Sequence, residues 1–116
     1  MCTVTVRELL EAYKPEVTVN MTIISGYGNG YSEAQQSRVT QHLLDIVEDV
    51  QRINPAVILH LVPMNPVDLS YAEIEEKTTA HIITSNIVLI VGPDRVYVSK
   101  CGGRREYRGR SLANLW

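Results

Sequence analysis

Three groups of side chains in this sequence have the types and spacing to do chemistry: a glycine-rich loop, a pair of aspartates and an arginine-rich stretch near the C-terminus. Gly26, Gly28 and Gly30 alternate with Tyr27, Asn29 and Tyr31 in SGYGNGYS, and Ser32 follows as a helix cap. Glycines at alternate positions let backbone N–H groups converge, and a helix start adds the positive end of its dipole, so the loop suits a phosphate or carboxylate. The pattern is GxGxGx with no lysine behind it, which supports neither a dinucleotide fingerprint nor an ATP loop. The same glycines equally serve a tight strand-to-helix turn that needs positive φ. Tyr27 and Tyr31 add rings able to stack on a base or sugar.

Asp68 and Asp94 fall in the two other loops expected beside this one. There they are placed to accept a ribose hydroxyl or to act as acid and base, although aspartate in a loop is also a common turn residue. The basic stretch comprises Lys100, Arg104, Arg105, Arg108 and Arg110, with Tyr107 among them. Arginine outnumbers lysine here, favouring bidentate contact with phosphate over diffuse attraction, and Tyr107 offers a ring for base stacking. The alternative is a docking segment that meets an acidic surface of the same chain or of a partner, anchored by Leu112, Leu115 and Trp116.

The histidines are weaker signals. His42, Asp45 and Asp49 share a helix face at ligand-like spacing, but no further His or Cys completes a site, so the reading is a solvated face and no metal is expected. His60 falls in an apolar strand and is expected to be a hydrogen-bonded core histidine. His81 falls on a later helix. Glu73, Glu75 and Glu76 crowd a helix start, where they oppose the dipole. No nucleophile and base stand out together, so catalytic residues stay unassigned, and no cofactor is expected.

The net charge of −2 conceals an asymmetry: residues 1–94 hold five Lys/Arg against twelve Asp/Glu, whereas residues 95–116 hold six against one. An acidic body with a basic arm is the pattern of a protein that meets an anion, or that docks on itself. At 116 residues and 45% apolar side chains the chain has the size and composition to bury a core of its own. Cys2 and Cys101 form no disulfide framework and suit a reducing, cytoplasmic compartment. Neither a signal pattern nor a membrane-length apolar run is present, so no membrane role is expected.

These residues need elements to position them. Thr5 with Glu8 predicts a capped lead-in helix stopped by Pro15. A first strand is expected over 16–25, and Ser32 with Gln35 caps a long helix whose Val39, Leu43, Ile46, Val47, Val50 and Ile53 recur on one face. Residues 56–62 read as a central parallel strand. Ser70 with Glu73 caps a helix ending near Ser85 or Asn86. Residues 87–91 form a third buried strand, and Gly92–Arg95 turns into a hairpin strand over 96–101.

The alternation predicts an α/β fold: a small three-layer sandwich with a mainly parallel sheet of about four strands, the last an antiparallel edge, and helices on both faces. Residues 1–101 form the single domain and 102–116 the arm. With the first strand between the second and third, ligands are expected at the carboxyl ends of the strands, where the loops carrying Gly26, Asp68 and Asp94 meet. The hairpin strand would end at the opposite rim, so the arm must fold back to reach that site.

EIEEKTTAHIITSNIVLIVGPD, residues 73–94, resembles the helix-then-strand segment of nucleoside deoxyribosyltransferases and related nucleotide-cleaving domains. The Gly-Thr-x-x-Glu continuation that carries the nucleophile in that family is absent, and RVYVSK follows instead. The first expectation is therefore a small soluble binding protein that recognises a phosphate-bearing ligand, nucleic acid or nucleotide, through the loop and the arm. Two alternatives stand beside it: an assembly component, such as a small inhibitor or particle subunit, whose arm docks on a partner or another copy; and a nucleotide-processing enzyme with Tyr27, Asn29, Asp68 and Asp94 around the crevice.

Overall fold

Both of the capping boxes near the start of the sequence form in the computed structural model, which describes residues 3–26, 31–64, 76, 83–99 and 105–107. Thr5 Oγ1 accepts the Glu8 N–H at 3.2 Å, and the Glu8 carboxylate accepts the Thr5 N–H at 3.3 Å. This box opens α1 (Val6–Glu11), which follows the two-residue strand β1 (Thr3–Val4). Ser32 and Gln35 open α2 (Glu33–Ile53) in the same way. Val39, His42, Ile46 and Val50, spaced by three or four residues, are the buried positions of α2. Asn54 caps its end and Pro55 cannot continue it. No described helix is long and apolar enough to cross a membrane.

The strands that follow are β2 (Asn20–Gly26), β3 (Ile58–Met64), β4 (Ile87–Val91), β5 (Val96–Ser99) and β6 (Arg105–Tyr107). Their sheet order is β1-β6-β5-β4-β2-β3. β2 pairs in parallel with β3 and with β4, β5 runs antiparallel to β4 and to β6, and β1 is parallel to β6. The chain is thus a mixed α/β domain with β2 between the second and third strands of the expected alternation.

Two expectations about the strands are corrected. The hairpin strand β5 is not an edge, because Arg105–Tyr107 returns along it and β1 adds beyond, giving six strands among the described residues where about four were expected. A three-residue strand with arginine beside it carries no hydrophobic period, so its sequence reads as charge and not as structure. β3, expected at the centre, stands at the edge: Ile58 and Leu61 are 44% and 53% exposed. Its apolar composition mimics a strand buried on both sides. The sheet therefore continues past residue 101, where the body was expected to end.

Side chains alternate across the sheet. One face presents Met21, Ile23, Ile87, Leu89, Val91, Val96, Val98 and Tyr107, which share a core with Val39, Ile46 and Val50 of α2 and with Val6, Leu9 and Leu10 of α1. Each fully buried aliphatic side chain contributes about 1.5–3 kcal/mol, so this face dominates the stability. The other face is shielded as well, since Ile24, Val88 and Ile90 are all at most 2% exposed.

Candidate functional site

Pairing register brings the ends of the three parallel strands to one rim. Ser25 is level with both Pro63 and Val91, and Gly26 is level with Met64. The loops that follow β2, β3 and β4 therefore leave from one side of the sheet, the side at which open α/β sheets bind ligands. The β4–β5 turn is the described part of this rim. The Gly92 N–H donates to the Arg95 carbonyl at 2.9 Å and closes the turn.

α2 grips that turn at two points. His42 is 3% exposed, and its Nε2 lies 2.8 Å from the Pro93 carbonyl oxygen. A carbonyl can only accept, so Nε2 carries the hydrogen. One helical turn earlier, Arg38 Nη2 stands 3.5 Å from Asp94 Oδ1, at the outer side of the same turn. The Asp94 side chain is 71% exposed, so this ion pair is open to solvent and to competition. Arg38 Nε is shut off from solvent and has no hydrogen-bond partner among the described residues. The Arg38 side chain as a whole is 40% exposed, so it meets solvent through atoms other than Nε.

Tyr31 sits at the start of α2, half-buried against the core, with its carbonyl accepting from Gln36 Nε2 at 3.1 Å. Burial pushes the Tyr31 phenol above its usual value, so the hydroxyl stays a neutral donor. Ser32 is committed to the cap, its Oγ accepting the Gln35 N–H at 3.1 Å.

The other expected site residues separate into those the structure positions and those beyond the described residues. Gly26 ends β2 at the rim. Tyr27, Gly28, Asn29, Gly30, Asp68, Lys100, Arg104, Arg108 and Arg110 lie outside the described residues, as do His81, Glu73 and Glu75. Arg105 opens β6. Tyr107, expected to stack on a base, is 1% exposed in the core, and its hydroxyl donates to Asp49 Oδ2 at 3.0 Å. That ring is packed and unavailable for stacking.

β6 also resolves how the stretch beyond β5 runs. Arg105 is level with Val98 and Tyr107 with Val96, and Val96 is level with Val91. The chain thus reaches the far rim with β5 and returns with β6 to the rim where β2, β3 and β4 end.

Two histidine expectations are corrected. His42 is buried against the sheet instead of lying on a solvated face; its spacing from Val39 and Ile46 already placed it on the apolar stripe. His60 is exposed because β3 is an edge strand, with Nε2 3.4 Å from Asn20 Oδ1. Among the described residues no three His, Cys, Asp or Glu side chains gather as a metal site. Nothing in the sequence singles out Arg38, whose place beside Asp94 depends on how α2 crosses the turn.

The opposite rim, where the parallel strands begin, is closed by its own groups. Asn86 Oδ1 accepts the Asn20 N–H at 2.7 Å, and the Asn86 N–H donates to the Asn20 carbonyl at 2.8 Å. Tyr13 Oη donates to the Asn86 carbonyl at 3.0 Å, and Thr22 and Ser85 share a buried hydroxyl–hydroxyl bond. A cavity of about 300 Å³ beside it runs between α1 and the end of α2, with Leu10, Val19 and Ile53 at its base and Arg7, Glu11 and Lys14 around it.

No family model, curated protein or solved structure matches the chain.

Proposed function

We propose that this chain is a small binding protein for an anionic, phosphate-bearing ligand, a nucleotide or a nucleic acid strand, taken up at the rim where β2, β3 and β4 end. The observation that carries this reading is the return of β6 to that rim. With Tyr107 level with Val96, β6 ends on the side where β2 ends, and Arg108 is the next residue in the sequence. In sequence, Lys100 comes directly after β5 and Arg104 directly before β6, whereas Arg108 and Arg110 come after the end of β6. Arg38 and the capped start of α2 add a guanidinium and the positive end of a helix dipole there.

The same reading includes a mainly parallel, three-layer arrangement, with a helix over 70–85 covering the face that α2 leaves. Burial of Ile24, Val88 and Ile90 on that face supports it, as do the helical Glu76, Ile83 and Thr84. Asp68 would join Asp94 as an acceptor for a ligand hydroxyl. A cytoplasmic setting fits the two cysteines.

The test is calorimetric titration with a nucleoside monophosphate, and anisotropy with a labelled single-stranded oligonucleotide, at rising salt. Affinity is expected to fall as salt rises, and to fall roughly tenfold in Arg108→Ala and in Arg38→Ala, as loss of a charge-assisted hydrogen bond requires. Arg104→Ala should leave it nearly unchanged. Absence of binding, or equal losses in the Arg104 and Arg108 variants, would sink the proposal.

A further inference from the structure

We infer that β3 is a self-association edge: two copies of this chain join β3 to β3, antiparallel, across a two-fold axis at His60. The direction of the backbone groups comes first. The Ile58 N–H donates to the Val19 carbonyl at 2.9 Å, so Ile58 points its peptide groups at β2. Successive residues of a strand turn these groups to opposite sides. His60, Val62 and Met64 therefore serve β2, and Leu59, Leu61 and Pro63 direct theirs outwards. The same alternation in β2 sends the Asn20 carbonyl towards β4, where it accepts the Asn86 N–H.

Pro63 falls on the outward side, where its missing N–H removes no bond from the ladder. Leu59 and Leu61 are left with outward donors and acceptors and no strand beyond them among the described residues.

Edges of natural sheets are guarded by shortness, charge, proline, bulges or a covering segment. β1, at the other edge, is two residues long, whereas β3 has seven and the sequence ILHLVPM contains no Asp, Glu, Lys or Arg. Ile58 is 44% exposed and Leu61 53% exposed, one on each face of the strand.

Self-complementarity identifies the occupant. An isologous contact must pair the strand with its own reverse. With the axis at His60, Leu59 meets Leu61 of the second copy and Ile58 meets its Val62, so apolar side chains face apolar ones on both faces. Both outward N–H groups of each copy find a carbonyl, and Pro63 stays outside the paired stretch. The seam is free of acidic or basic side chains even though residues 1–94 carry twelve Asp/Glu against five Lys/Arg, so the two acidic bodies meet where their repulsion is weakest.

The test is light scattering on the full chain across a concentration series, beside Leu61→Lys. A dimer is expected, and Leu61→Lys should weaken it by about tenfold to a hundredfold through a buried charge on each strand, while circular dichroism and the urea midpoint stay unchanged. In a Cys2→Ser/Cys101→Ser background, His60→Cys should crosslink to its own copy on oxidation, because directly opposed residues at an unbonded pair lie within disulfide range. A monomer at every concentration overturns the inference. So does a dimer that survives Leu61→Lys, or one lost on deleting residues 108–116 with β3 intact, which would assign the contact to the arm.

Discussion

The two rims of the sheet are built from different polar groups and to opposite ends. At the rim where the parallel strands begin, Asn20, Asn86, Tyr13, Thr22 and Ser85 bond to one another, and Asn86 lengthens the β4 ladder by lending a side-chain oxygen to the Asn20 N–H. At the rim where they end, the described polar groups come from α2 and the β4–β5 turn, which is held by the buried His42–Pro93 bond and by the Gly92 N–H on the Arg95 carbonyl. The Arg38–Asp94 pair is loose and solvated, and Arg38 Nε makes no bond to any described group. Polar groups that satisfy one another hold the strands together, whereas a solvated ion pair such as Arg38–Asp94 is one for which a ligand can compete.

That contrast is broken or sharpened most strongly by Asn86→Ala. It leaves the Asn20 N–H without its acceptor between two strands and should cost about 2 kcal/mol, read as a lower urea midpoint. Affinity for a nucleoside monophosphate should not change. A shift in affinity with an unchanged midpoint would reverse the roles assigned to the two rims.

Tyr107→Phe comes next. It removes the hydroxyl that ties β6 to Asp49 but keeps the ring in the core, for an expected loss of about 1 kcal/mol in the same denaturation experiment. No loss would mean that β6 is held by its ladder and ring alone.

Asp94→Asn has the smallest expected effect on stability, within about 0.5 kcal/mol, because the pair it breaks is solvent-exposed. Its readout is binding: with the competing carboxylate neutralised, Arg38 should take inorganic phosphate about threefold more tightly by calorimetry. Weaker binding would make Asp94 a ligand contact instead of a competitor.

What the sequence disclosed follows from signal length. α2 has 21 residues, so its apolar period and its Ser32/Gln35 box were both legible, as were the fully apolar β4 and the position of β2 between its two parallel neighbours. β1 and β6, with two and three residues, are too short for a period and exist only through pairing. Tyr107 therefore read as a surface ring among arginines, when it is a core residue facing Asp49. His60 and His42 exchanged roles for a related reason. Apolar neighbours marked β3 as central, but exposure is set by what lies beyond a strand, and no local pattern carries that. The rim itself was foreseeable from the strand ends; its grip by His42 and Arg38 depended on how α2 crosses the β4–β5 turn.

The pairing of β1 with β6 has a consequence for the order in which the molecule is made. Thr3 and Val4 are synthesised well before their sole partner strand among those described, which lies roughly a hundred residues further on, across a loop whose closure is costly in entropy. β2, β3 and β4 are able to assemble around α2 while synthesis continues, but the flank formed by β5, β6 and β1 closes only after Tyr107 has emerged. Until then Val4 and the free side of β5 stay uncovered, and this is the interval in which a nascent chain would be most open to a chaperone or to another strand.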